Sequence, residues 1–127
     1  MKNLMFTMML LGLMSPLLAG VPRTAADISG TWIFSVDLAS GGHGDPTFVF
    51  KQEGEKLSGT YSGPLGEQKV SGAVNGDKAV FGFETSQNGE TIKATYTGTV
   101  ESRTKMSGTV QFNDNDERGK WTASRKP

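Results

Sequence analysis

The stretch Ile28-Ser29-Gly30-Thr31-Trp32 contains the pattern that decides the fold. An apolar residue, a Ser or Thr, a glycine, a Thr or Ala and a second apolar residue follow one another in it. The same order returns at 57–61, 70–74, 96–100 and 106–110. Because side chains alternate across a strand, each copy places its two apolar residues and its glycine on one face. Five such strands predict a small closed sheet, in which the glycines leave space where the sheet coils.

The beginning of the chain predicts an export signal. Lys2 precedes an apolar run over 4–19, and small residues follow it, which is the order found in secretory signal peptides. The run is shorter than the roughly 20 residues of a membrane-spanning helix and contains Pro16. We expect 1–26 to be a signal peptide and short N-terminal arm, with cleavage within 19–26. Residues 27–127 then form the β-barrel domain, since 127 residues suffice for one domain.

The amino-acid composition restricts the cellular location and the classes of partner expected for this protein. The chain has no cysteine, so it forms no disulfide and carries no lipoprotein anchor. A periplasmic or secreted protein, held together by its core and its hydrogen bonds, is expected. Its 13 basic and 13 acidic residues are interspersed and form no basic stripe, so nucleic acid is not an expected partner.

The remaining sequence predicts eight strands joined in order by short connections. No segment shows helical periodicity, and Asn75-Gly76 and Asn88-Gly89 are strong hairpin signals. The strands are expected at 28–38, 47–52, 56–62, 68–74, 79–85, 91–101, 105–112 and 120–125. We therefore predict an all-β fold, an eight-stranded antiparallel up-and-down β-barrel, because closure removes the unpaired edges.

The connections and the faces predict one open end and a hydrated outside. Connections after strands two, four and six look tight, whereas those after one, three, five and seven look mostly longer and would frame a mouth. Ser, Thr, Lys, Gln and Glu occupy the outward positions, while the aromatic residues point inward. An outer-membrane barrel has the opposite pattern, so no membrane insertion is expected.

Two short motifs resemble the signature of the calycin superfamily, which includes lipocalins and avidins. They are Gly30-Thr31-Trp32 near the start and Trp121-x-x-x-Arg125 near the end. The resemblance implies that Arg125 lies over Trp32 at the closed end and that Gly30, Trp32 and Arg125 have a structural role. Gly59-Thr60-Tyr61 and Phe81-Gly82-Phe83 are similar to the third and fifth strands of the avidin family.

The biotin site of that family is largely missing here. The resemblance implies that Tyr61 matches the tyrosine that binds the ureido oxygen and that Trp121 matches a pocket tryptophan. Phe34 and Leu38 replace an asparagine and a serine, and no tryptophan occurs in the fifth or seventh strand. A buried polar head group without partners costs affinity, so biotin binding is not expected.

The open-end lumen is the candidate ligand site. Seven inward residues are expected nearest the mouth: Leu38, Phe48, Tyr61, Phe83, Ile92, Phe112 and Trp121. They predict an apolar cup with one hydroxyl group. The alternative is that these residues form the plain core of a barrel that fills itself, because so small a domain uses most of its apolar groups for stability.

The remaining polar residues do not predict a catalytic or metal-binding site. His43, in the loop 39–46, is interpreted as a solvated histidine, because one His without Cys does not complete a zinc site. Asp114 and Asp116 resemble a calcium loop only faintly, since Arg118 stands where a ligand oxygen belongs. We expect no metal, no cofactor and no enzymatic activity, because no nucleophile–base–acid set is visible.

Two functions remain open from the sequence. The first is a binding module of the avidin or lipocalin kind that holds a small apolar ligand or a protein partner at its open end. The alternative is a proteinase-inhibitor-like barrel whose N-terminal arm, 21–27, inserts into an enzyme. An open lumen favours the first function, and a filled barrel with a protruding arm favours the second.

Overall fold

A computed structural model describes residues 26–113 and 117–127. The predicted signal peptide lies outside the described residues, except for Ala26 at the end of its expected cleavage range. Asp114 and Asp116 lie outside them as well. Among the described residues there is no helix long and apolar enough to cross a membrane.

Eight antiparallel strands form a closed barrel, which confirms the predicted fold class. Each strand pairs with the next along the chain, and the last pairs with the first from Gly119–Leu38 to Arg125–Trp32. The strands are β1 Gly30–Leu38, β2 Thr47–Glu53, β3 Lys56–Gly63, β4 Gly66–Asn75, β5 Lys78–Gln87, β6 Glu90–Ser102, β7 Lys105–Phe112 and β8 Glu117–Arg125.

The predicted strands exist, with shifts at their ends. β1 begins two residues later than expected, β8 begins three residues earlier, and β4 and β5 are longer at both ends. The loop 39–46 was not expected to contain a strand. In this loop, His43–Gly44 forms a two-residue strand that pairs with Val36 and Asp37 of β1. The chain runs back along the edge of β1 that also pairs with β2.

The predicted difference between the two sets of connections is only half right. The connections after β2, β4 and β6 are tight turns, as expected. Those after β3 and β5 were expected to be longer, but each has only two residues, Pro64-Leu65 and Asn88-Gly89. Asn88 and Gly89 both have positive φ, so this turn reverses the chain without further residues. Among the described residues, the mouth is therefore framed mainly by 39–46.

Glycines let neighbouring strands approach where the barrel coils. A Cβ on Gly108 would lie 1.9 Å from the Thr97 carbonyl oxygen, and one on Gly59 would lie 2.0 Å from that of Val49. Because the sequence places these glycines on the apolar inward face, interior side chains would be the expected obstacle to a Cβ. At these two positions the obstacle is instead the backbone of the adjacent strand, and at Gly98 it is both the Trp121 ring and the Ser107 carbonyl.

Aromatic rings fill the middle of the barrel. Phe34 is fully buried, with its ring centroid 4.3 Å from that of Phe48 and 4.7 Å from that of Trp121. Phe81 and Tyr96, paired across β5 and β6, stack with their centroids 5.3 Å apart. Above the packed rings, at the open end, the barrel has free space.

Candidate functional site: the open-end cup

The closed end is sealed by the Trp32–Arg125 pair. The guanidinium carbon of Arg125 lies 4.8 Å from the centre of the Trp32 ring, a cation–π contact, as the calycin resemblance implied. Nη1 and Nη2 of Arg125 each donate to a carbonyl oxygen at 2.6 Å, those of Ser29 and Asp27. Nε donates to Arg103 O at 2.7 Å. The charge is thus satisfied by backbone oxygens, as the predicted structural role of Arg125 requires.

Gly30 is part of the same arrangement. Its φ of 128° is one that residues with a side chain rarely adopt. A Cβ there would lie 3.4 Å from Nη1 of Arg125. The glycine therefore gives the chain the bend it needs to pass under the guanidinium.

At the other end, the barrel opens into a cup of about 460 Å³. Its wall is mostly apolar and comes from β1, β3, β6, the ends of β7 and β8, and the connections 39–46 and 64–65. Apolar and aromatic residues of the wall include Val36, Leu38, Pro46, Tyr61, Pro64, Leu65, Ile92, Tyr96 and Phe112. The volume falls in the range of about 300–1,000 Å³ typical of small-molecule sites.

Four of the seven predicted lumen residues line the cup: Leu38, Tyr61, Ile92 and Phe112. The other three, Phe48, Phe83 and Trp121, are not part of its wall and belong to the buried core. Trp121 also donates from Nε1 to Thr109 O at 2.8 Å, so its one polar atom is used within the barrel. The predicted cup is therefore present, but it is shallower than the seven residues implied.

Sequence reasoning missed several residues of the wall. Pro46, Pro64 and Leu65 lie in connections, so strand alternation gave no signal for them. Val36 and Tyr96 have the inward parity of their strands, but they were placed too far from the mouth. The depth of the cup depends on how the rings below it pack. The alternation of side chains along a strand does not predict that packing.

Tyr61 stands in the wall with its ring centroid 4.4 Å from that of Phe83. Its hydroxyl oxygen accepts a hydrogen bond of 3.3 Å from the Leu65 backbone N–H. Burial raises the pKa of Tyr61 more than this hydrogen bond lowers it, so the phenol stays protonated at neutral pH.

Tyr96 is the most buried tyrosine and reaches the cup from below. It is 2% exposed, and rings of Phe34, Phe48, Phe81 and Trp121 surround it. Burial, and secondarily the nearby Tyr61, raise the pKa of Tyr96 far above its ordinary value. Within 26–113 and 117–127, no residue forms a hydrogen bond with its hydroxyl.

His43 is part of the rim. Its Nδ1 lies 2.7 Å from Oδ1 of Asp37, and its Nε2 lies 3.1 Å from Oδ1 of Asp45. Hydrogen bonds to the two carboxylates, that of Asp37 first, raise the pKa of His43. The carboxylates bind opposite sides of the ring and do not converge on one point. The described residues include no group of three or more potential ligands that could hold a metal ion.

A second depression, of about 670 Å³, lies at the closed end. Most of the residues that line it are polar, and Glu101, Ser102, Arg103 and Thr104 among them are exposed. Arg125 is part of this wall, but its three donating nitrogens are already bound to carbonyl oxygens. The cup therefore remains the better candidate for a ligand site.

Comparison with known proteins supports the fold. No model of a known protein family matches the chain, and no curated protein matches it in sequence. Among solved structures it is similar to a redesigned β-barrel with a TM-score of 0.65 and 17% identity, over 79% of this chain and 92% of that one. It is also similar to mFAP1, a redesigned β-barrel bound to DFHBI, with a TM-score of 0.59 and 18% identity, over 77% of this chain and 94% of that one. The chain is an antiparallel β-barrel of the same architecture.

Proposed function

We propose that this protein is an exported binding barrel that holds a small apolar ligand in the open-end cup. The observation that carries the proposal is the cup itself, because the barrel is filled below it and open above it. An apolar wall with a few polar groups is the usual composition of a small-molecule site. Two similar barrels, mFAP0 and mFAP1, are bound to DFHBI, so the architecture accommodates a ligand.

The kinship we propose is with the calycins. The stacking of Arg125 on Trp32 and the carbonyl oxygens around the guanidinium support it. Biotin is not the proposed ligand. Phe34, in place of a polar residue, is fully buried between aromatic rings, and Leu38 is an apolar part of the cup wall. The ligand is therefore more apolar than biotin.

Export is proposed from the N-terminal sequence alone, which has the order of a secretory signal. The alternative function, a proteinase inhibitor, was favoured by a filled lumen. The presence of the cup therefore disfavours it. Residues 21–25 of its proposed arm lie outside the described residues, and Ala26 is held at the closed end by a 2.8 Å hydrogen bond from its N–H to Gly76 O.

Titration with the neutral fluorophore N-phenyl-1-naphthylamine tests the proposed site. We expect saturable binding of one molecule per chain. Ile92→Trp, which fills the cup, should weaken binding at least about tenfold, since lost apolar burial is worth about 25 cal/mol per Å². The matched control is Val80→Trp, because Val80 is 47% exposed on the outer face.

Circular dichroism of both variants checks that the barrel is retained, and Leu38→Trp is a second way to fill the cup if Ile92→Trp does not fold. Equal affinity of the native protein and both cup-filling variants would show that the probe binds elsewhere and would refute the proposed site. Calorimetry with biotin should give no binding heat.

A further inference from the structure

The Tyr96 hydroxyl is the unusual polar group of this barrel. It is part of the cup wall, its residue is 2% exposed, and no described residue satisfies it. A buried hydroxyl without a hydrogen bond is costly, and nearly all such groups in native proteins have a partner. Phenylalanine at this position would pack the same rings without that cost. A ligand that fills the cup would supply the hydrogen-bond partner that no described residue gives this hydroxyl.

Tyr61, the other phenol of the cup, is in a different situation. Its oxygen already accepts from the Leu65 N–H, which ties the hydroxyl to the 64–65 turn. That hydrogen bond gives the Tyr61 hydroxyl a structural role in the wall of the cup. The O–H of Tyr61, like that of Tyr96, has no acceptor among the described residues, but Tyr96 lies deeper and has no hydrogen-bond partner of either kind, so it is the phenol that would meet the inner end of a ligand.

We propose that Tyr96 recognises the ligand by donating a hydrogen bond to a neutral oxygen, such as a carbonyl, at the inner end of an otherwise apolar molecule. This inference rests on the proposed function and names the ligand class for the same cup. Tyrosine remains protonated in this environment, so its O–H is available as a donor at any physiological pH.

The charges of the cup favour a neutral oxygen over a carboxylate. The described wall contains no Lys or Arg, and its ionisable residues other than the two tyrosines are His43, Glu90 and Glu117. A carboxylate placed beside Tyr96 would lose its hydration without gaining a cation, which is strongly unfavourable. A carbonyl group loses much less hydration and gains the bond that Tyr96 lacks.

A matched pair of probes tests this. The ketone 2-acetylnaphthalene and the hydrocarbon 2-isopropenylnaphthalene have nearly the same shape, but only the ketone accepts a strong hydrogen bond. We expect the native protein to bind the ketone up to about tenfold more tightly, the value of one net hydrogen bond. In Tyr96→Phe the preference should disappear through loss of ketone affinity. The anion 2-naphthoate should bind more weakly than the ketone.

Tyr61→Phe is the matched control, because it removes the other phenol and should leave the preference in place. Tyr96→Phe should unfold at no lower urea concentration than the native protein, since its hydroxyl has no protein partner to lose. Equal binding of ketone and hydrocarbon to the native protein, or a preference that survives Tyr96→Phe, would overturn this inference and leave the proposed apolar site intact. Failure of all three probes to bind would overturn both proposals.

Discussion

The two ends of this barrel differ in how their polar side chains are hydrogen-bonded. At the closed end, every polar group of Arg125 that carries an N–H reaches a backbone oxygen, and Trp32 donates from Nε1 to Ile28 O at 3.0 Å. At the open end, the Tyr96 hydroxyl has no partner among the described residues, and a cup of about 460 Å³ remains above it. The closed end contributes hydrogen bonds to the fold, whereas the open end is where we propose that a ligand binds. The predictions below test this division, from the largest expected effect to the smallest.

Trp32→Ala should produce the largest loss, because it removes a fully buried aromatic side chain from the seal. We expect the free energy of unfolding to fall by about 3–5 kcal/mol in urea denaturation. Arg125→Ala should cost less, and part of its effect should vanish when Trp32 is already absent. Strictly additive losses in the double-mutant cycle would contradict the stacking as an energetic contact.

Glycines in the barrel wall should tolerate substitution far less than glycines of the mouth. Gly108→Ala forces a Cβ to 1.9 Å from a backbone oxygen, so strands must move apart, at about 1–3 kcal/mol or more. Gly42→Ala is the control, since its new methyl would meet only the flexible Leu38 side chain, at 3.2 Å. Equal midpoints of thermal unfolding for the two variants would argue against the close strand approach.

Gln52 should stabilise the segment before β1. Its Oε1 accepts from Ile28 N at 2.9 Å, and its Nε2 donates to Ala26 O at 2.7 Å. Gln52→Ala should lower stability by about 1–2 kcal/mol, since these two hydrogen bonds and a third, from Nε2 to Gly54 O at 2.9 Å, are lost. Amide hydrogen exchange is expected to quicken at Ile28 first. Unchanged protection there would show that other contacts hold the segment.

The smallest effect is expected at the rim. The pKa of His43 is raised in the folded protein, so the folded state binds its proton more tightly than the unfolded state. The stability that His43 contributes is therefore fully present below its ordinary pKa of 6.5 and is lost as the pH rises through the raised value. Urea unfolding of His43→Ala and native protein between about pH 5 and 9 should show a difference that shrinks with rising pH. A difference that grows with pH would reverse the sign of this coupling.

Much of the barrel can be predicted from local patterns. The repeated apolar–Gly–apolar face, the Asn-Gly turns and the lack of helical periodicity identify eight strands in the right order. Strand ends are less well predicted, as at β8, because pairing with β7 extends it to Glu117 and pairing with β1 extends it to Gly119. The short strand His43–Gly44 could not be predicted, because its only partner is β1, brought beside it by the loop.

The sequence by itself determined the closed sheet, its inward and outward faces and the Trp32–Arg125 seal, because these follow from alternation along single strands and from a short motif. Tertiary structure alone decided where the filled core stops and the cup begins. Phe48, Phe83 and Trp121 share their parity with the cup residues, yet they pack below the cup. The depth of the cup and the unpartnered Tyr96 hydroxyl depend on how side chains from different strands meet in the lumen, and no single strand contains that information.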